Sequence, residues 1–351
     1  MGTRRWSWLC VLWLSVYSGF AQTPTSAQIA DAGRRITLDV VVSDKSGKPI
    51  PGLDQRDFTL LDNKQPSKIL SFDAIQGSAA AADPPVEAIL LIDEVNTAFT
   101  AVSYERQQVE KFLRRDGGEL SRPTSLVFLS DSGAEMGKLS SRDGNALMAE
   151  LNEHESGLRT IRRSQGVYGA EDRVSLSLKA IEQLAGYEAT RPGRKLVVWI
   201  SPGWPLLSGP RDELSSKDQQ RLFGTIVALS DGLRRARITL YSIDPLGTND
   251  AVGFRTSYYE EFVKGVKKAN QVHIGNLGLQ VLAVQTGGRA IHSDNDVAGQ
   301  IADCIADANS FYVLSFEGLP GDGPNEYHSI EIKIDKPGMT AHTRTGYYAQ
   351  P

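Results

Sequence analysis

Hydrophobic positions along the chain change rhythm twice. Up to Ile75 they alternate: Ile36, Leu38, Val40 and Val42 fall on one face of "RITLDVVVSD". "DFTLLDN" and "SKILSFDAI" follow as short strands about the turn "DNKQ". From Val86 the apolar residues run unbroken in "VEAILLID", "SLVFLSDS", "RKLVVWISPG" and "ITLYSID", with "AEMGKLS" as a strand beside "SLVFLSDS" and "RAIH" as a short last one. Helical spacing separates these runs. It predicts helices over residues 99–115, over "DGNALMAELNEH" with Asp143 as N-cap, and over "DRVSLSLKAIEQLAGY" with Gly186 as stop signal. Three more follow: "QQRLFGTIVALSDGLRRA", "NLGLQVLAVQTGG" closed by glycines, and "DVAGQIADCIADAN" capped by Asp294 or Asp296. Beyond residue 309 alternation returns in "SFYVLSFEG", "YHSIEIKID" and "MTAHTRTGYYA".

Unbroken apolar strands interleaved with amphipathic helices predict a mostly parallel sheet covered on both faces. Three strands at either end would each leave an apolar face uncovered. Pairing the two ends into one small β-sandwich, with the α/β unit inserted between them, resolves this. The expected divisions are a signal peptide over residues 1–21, a polar lead over 22–34 and N-terminal sandwich strands over 35–75. A linker, "QGSAAAADPP", occupies 76–85, the α/β domain 86–309 and the C-terminal sandwich strands 310–351.

Arg4 and Arg5 precede an uncharged run from Trp6 to Phe20, and small residues at Gly19 and Ala21 place a cut in "SGFA|QTPT". That run is shorter than the roughly 20 residues of a comfortable span, so export without membrane insertion after cleavage is the expectation. Cys10 lies inside the signal, which leaves Cys304 alone and excludes an intrachain disulfide. The 40% hydrophobic and 23% charged content is that of a folded domain, and a net charge of -4 leaves no basic field for nucleic acid.

"LDVVVSDKSGKPIPGLDQRDFTLLDNK", "ILLIDEVNT", "RKLVVWISPGWPL", "LAVQTGGRAI", "SFYVLSFEG" and "RTGYYA" together resemble the VWFA-related proteins described from acidobacteria, which are built on a von Willebrand factor type A domain. The resemblance covers nearly all of the chain beyond the signal. It implies a Rossmann-like α/β domain, an extracytoplasmic location and a binding role without catalysis. Type A domains hold Mg²⁺ with a D-x-S-x-S loop, a later Thr and an Asp after the fourth strand. Asp93 matches the first Asp, and Thr97 keeps a hydroxyl at the second Ser position. Val95 stands at the first Ser position and has no lone pair to offer. No threonine aligns in "SQGVYGAEDR", where Glu171 or Asp172 would be the substitute, and Pro202 replaces the later Asp. Asp93 and Thr97 alone would hold the ion weakly. Asp131, ending the neighbouring strand, would add a third oxygen or else cap the turn "DSGA". Asp93 itself either bonds nearby loop amides and Thr97 or belongs to that degenerate metal site.

Other chemistry is sparse. Gly287 and Gly288 follow a helix and precede a strand, the reverse of a phosphate cradle, and read as a helix C-cap. Ser201 in "ISPGW" lacks the nucleophile elbow, and Pro202 removes an oxyanion-binding amide. His154, His273, His292, His328 and His342 show no metal spacing. Arg234, Arg235 and Arg237 suit the end of a helix dipole, and Cys304 shares an apolar helix face. Trp204 and Leu206 in "GWPLL" would anchor a protein partner at the edge where open sheets bind ligands, unless Trp204 folds back over the core. Tyr258, Tyr259 and Phe262 would extend that surface or pack within their own loop, and Tyr347 and Tyr348 would complete the sandwich core. The expected function is therefore an exported, non-enzymatic interaction or adhesion module, with Asp93, Asn96, Thr97, Trp204 and Leu206 at the partner face and no cofactor beyond weak Mg²⁺. Two alternatives stand beside it: Mg²⁺-dependent binding through Asp93, Thr97 and Asp131, and a hydrolase of envelope polymers.

Overall fold

The structure, a computed structural model, describes residues 34–77, 86–97, 99–154, 166–204, 214–245, 258–292 and 295–351. The expected signal, nearly all of the lead and most of the linker lie outside them. The alternating N-terminal stretch forms β1 (Arg35–Ser43), β2 (Phe58–Asp62), β3 (Gln65–Ser67) and β4 (Ser71–Gln76). The unbroken apolar runs form β5 (Val86–Asp93), β6 (Glu119–Ser130), β7 (Gly133–Asp143), β8 (Arg194–Ile200), β9 (Ile238–Ile243) and the short β10 (Ala290–Ile291). Between them stand α1 (Phe99–Leu113), α2 (Gly144–Glu153), α3 (Gly166–Glu188), α4 (Ser216–Arg235), α5 (Leu279–Gln285) and α6 (Val297–Ala306). The tail adds β11 (Ser310–Glu317), β12 (Glu326–Ile334), β13 (Thr340–His342) and β14 (Gly346–Ala349).

The central sheet runs β10-β9-β8-β5-β6-β7, parallel throughout except for β7, which returns antiparallel on β6. Its centre is buried on both faces, which is why β5 and β8 carry no alternation: every residue of each is buried. Successive side chains nevertheless take opposite sides. Ile89, Leu91, Val197 and Trp199 face α3, α4 and α5, whereas Leu90, Ile92, Val198 and Ile200 face α1, α2 and α6. Cys304 lies in the second of these cores, and burial pushes its thiol well above the usual range.

The two ends of the chain do come together. They build two antiparallel sheets, β13-β1-β11-β4 and β14-β12-β2-β3, whose inner faces share a core of Leu38, Val40, Leu60, Tyr312, Phe316 and Tyr347. This arrangement is sandwich-like, with four strands from each end rather than the three expected. The extra N-terminal strand, β3, takes the end of the expected turn and only Ser67 of "SKILSFDAI", the later part of which gives β4, and "MTAHTRTGYYA" breaks in two. In both places the chain passes from one sheet to the other, β3 pairing with β2 and β4 with β11, β13 with β1 and β14 with β12. A single alternating pattern cannot show such a crossing. Tyr347 completes the sandwich core as expected, but Tyr348 turns away and donates its hydroxyl to Val266 O in the α/β unit.

Several local expectations hold. Asp143 caps α2, accepting from the amides of Asn145 and Ala146. Gly287 follows the end of α5 at φ 89°, the left-handed position of a C-cap, and a Cβ there would lie 2.6 Å from the carbonyl carbon of Thr343. Asp296 occupies the N-cap position of α6, while Asp294 lies outside the described residues. Gly186 does not stop α3, which continues to Glu188. The roughly 1 kcal/mol that glycine costs inside a helix is offset because Ala185 is buried and Glu188 pairs with Arg191 at 3.0 Å.

Candidate functional site

Strand β5 carries Asp93 to the carboxy end of the sheet, beside Leu129 of β6 on one side and one step past the Ile92–Ile200 pair on the other. Strand order reverses at β5, so the loops after β5 and β8 leave in different directions and open the crevice where sheets of this kind bind ligands.

Asp93 is fully buried, and its carboxylate is occupied. Oδ1 accepts from the amides of Val95 (2.9 Å) and Asn96 (2.8 Å), closing a tight Asx turn. Oδ2 accepts from Asn96 Nδ2 (2.8 Å) and from the indole Nε1 of Trp199 (3.0 Å). Asn96 Nδ2 also donates to Ser177 Oγ (2.9 Å), which ties the turn to α3. From behind, the Asp93 amide donates to Glu105 Oε1 on α1 (3.1 Å). Burial, reinforced by the Asp93 charge, holds the Glu105 carboxyl well above the usual carboxylate range, against smaller lowering effects of the Asp93 amide and Thr97. Glu94 is also buried, and lies 3.7 Å from Arg106 and 3.5 Å from His154, whose ring stacks on Phe128.

Magnesium asks for about six oxygens in a near-octahedral shell. The donor set here does not fit it. Four N–H groups already point at the Asp93 oxygens, two of them from side chains whose hydrogens occupy the space a cation would need. Val95 presents buried hydrocarbon where the first Ser of the loop would give an oxygen. Asp131 sits in the two-residue turn between β6 and β7, and Glu171 and Asp172 are exposed on α3, which sends Ser177 to the site instead. Among the described residues, no group of three or more His, Cys, Asp or Glu is arranged to hold a metal ion.

The expected partner face needs correction. Asp93, Thr97 and Trp204 are all buried and so support the surface from beneath; only Asn96 is half-buried. Trp204 folds inward, donates Nε1 to Leu277 O (3.1 Å) and meets Trp199 edge to face. An indole of that size is more stable covering the sheet end than standing in water. Leu206 lies outside the described residues. Ser201 is buried, with its hydroxyl accepting from the Gly203 amide, and Phe262 stacks on His273 within its own loop.

Glu105, Ser177 and Trp199 were not singled out from the sequence, although each leaves a trace there. Glu105 falls on the stripe of Val102 and Val109, where an acid needs a partner, and Ser177 falls between Val174 and Ile181 in the same way. Trp199 interrupts an aliphatic strand, and a buried indole N–H requires an acceptor.

No family model matches the sequence, and no curated protein matches it either. Among solved structures, the chain is similar to the pilus adhesin SpaC from Lactobacillus rhamnosus GG at 9% identity and a TM-score of 0.37, over 85% of this chain and 43% of that one. The chain thus spans less than half of SpaC, and a likeness this distant carries no argument about function. Among the described residues, no helix is long and apolar enough to cross a membrane.

Proposed function

We propose that the chain is an exported, non-enzymatic interaction module of the von Willebrand factor type A class, adhesive through the carboxy-end face of its central sheet and independent of a metal ion. The observation that carries this reading is the occupied carboxylate of Asp93: four N–H donors turn a would-be metal ligand into the pin of a turn that underlies the face. The sheet order, reversing at β5 with one antiparallel edge strand, supports a doubly wound, Rossmann-like reading. Arg4, Arg5 and the uncharged run behind them support export.

Crosslinking of the purified chain to envelope material of the exporting cell, in EDTA and in Mg²⁺, tests the proposal. The surface variant is Ser132→Arg with Pro202→Arg, which puts bulk and charge on the face without disturbing the Asp93 turn. The same crosslinked species should appear with and without Mg²⁺ and vanish in the variant. Crosslinks that require Mg²⁺, or that survive both substitutions unchanged, would overturn it.

A further inference from the structure

A second polar feature lies at the opposite end of the α/β unit, where it meets the sandwich, and does not depend on the adhesive reading. Residues 343–345 carry the chain between the two sandwich sheets and run against the end of α5, where the Thr345 amide donates to Gln285 O (3.1 Å). This crossing inserts Arg344 into the junction. Arg344 is only 8% exposed, and its Nη1 is buried without a hydrogen-bond partner. Burial and the neighbouring Arg234 guanidinium lower its pKa to about 10, against smaller opposing effects of Asp231 and Asp39.

Arg344 lines a cleft of about 20 Å³ with Arg234, Arg237, Asp39, Thr239 and Thr286. The neighbouring charges are only partly matched. Arg237 takes Asp39 through both Nε and Nη2, and Arg234 reaches Asp231 at 3.5 Å. Arg234 Nε is buried and without a partner, like Arg344 Nη1. Among the described residues, three guanidinium groups thus share two carboxylates, Asp39 and Asp231, and Arg344 is the most deeply buried of the three. A space of this volume admits one water-sized group. Guanidinium N–H groups favour the oxygens of carboxylates and phosphates over other acceptors of that size.

We propose that this cleft is an oxyanion site, in which one oxygen of a phosphate, sulfate or carboxylate group seats against Arg344 and Arg234 and joins the sandwich to the α/β unit. An anion taken up only by the folded chain stabilises it in proportion to its concentration.

The experiment is thermal unfolding of the full chain freed of its signal, in phosphate, methyl phosphate, sulfate and acetate, each against chloride at equal ionic strength. A saturable rise in Tm with at least one oxyanion is expected, absent in Arg344→Met and about tenfold weaker in apparent affinity in Arg234→Met, the equivalent of one charge-assisted hydrogen bond. An equal response to phosphate and methyl phosphate identifies an acid group on a larger ligand, and a response to inorganic phosphate alone a free ion; both support the site. If every oxyanion tracks chloride, or if Arg344→Met keeps the wild-type rise, the site does not exist. Should Arg344→Met fail to fold, an undiminished response in Arg234→Met overturns the proposal in its place.

Discussion

Two aspartates, both fully buried and both the last residue of a strand, are satisfied in opposite ways. Asp93, ending β5, takes two of its four hydrogen bonds from amides two and three residues ahead, and only Trp199 comes from far along the chain. Asp62, ending β2, takes all of its partners from the other end of the chain: the Leu319 amide at 3.2 Å, the Tyr347 hydroxyl at 2.7 Å and His328 Nδ1 at 3.2 Å. Burial and the Asp62 charge push the Tyr347 hydroxyl well above its usual range, so it remains a donor at any ordinary pH. The first carboxylate shapes a turn; the second fastens the N-terminal strands to the C-terminal ones. A buried carboxylate costs free energy unless donors surround it, and the two sites show that those donors are drawn from whichever part of the chain the fold brings near.

The largest test of this contrast is Asp62→Ala. It strands the Leu319 amide, leaves the Tyr347 hydroxyl and His328 Nδ1 with only each other at 3.2 Å, and should lower stability by about 3 to 5 kcal/mol in urea unfolding. A loss below about 1 kcal/mol would show that the two ends are not held through this residue. Asp93→Ala should cost somewhat less, about 2 to 3 kcal/mol, because three of its four donors belong to its own turn at the carboxy end of the sheet, which can rearrange locally, whereas the Asp62 donors are fixed on distant segments. Its unfolding midpoint and that of the wild type should be the same in Mg²⁺ and in EDTA; stabilisation of the wild type alone by Mg²⁺ would restore a metal role to Asp93. Trp199→Phe removes a single donor to that carboxylate and some buried volume, and about 1.5 to 2 kcal/mol should be lost.

The smallest effect concerns Glu105, and its sign is set by protonation. Its pKa is raised in the fold, so the stabilisation it gives is complete below the unfolded carboxylate value of 4.5 and is lost as pH rises through the folded value. Glu105→Gln keeps an oxygen for the Asp93 amide and has no proton to release. Its Tm should therefore equal that of the wild type near pH 4 and exceed it at pH 8. A wild-type advantage at pH 8 would mean that the buried group is a stabilising charge.

Much of the frame was legible because unbroken apolar runs bury on both faces whatever surrounds them. The strands of the central sheet, the Asp143 cap and the αL turn at Gly287 all follow from neighbours in the sequence. The candidate site was legible only in part. The turn of Asp93 follows from its own loop, but the ties to Trp199, Glu105 and Ser177 come from three other elements. Trp204 reads equally well as an anchor or as core, since a side chain with an apolar body and a polar tip suits both; its direction depends on whether Leu277 offers a carbonyl beneath it.

Left to itself, the order of residues determines where strands and helices start, which faces are apolar, and that the two ends must share a core. Those properties are local or follow from the exclusion of water, which acts on composition and period alone. Tertiary structure decided where β13 gives way to β14, that Asp93 meets four N–H groups, and that Arg344 enters a junction where its Nη1 finds no hydrogen-bond partner among the described residues. Hydrogen bonds and charges act over a few ångströms in chosen directions, so their partners are settled only when segments distant in the chain are packed side by side.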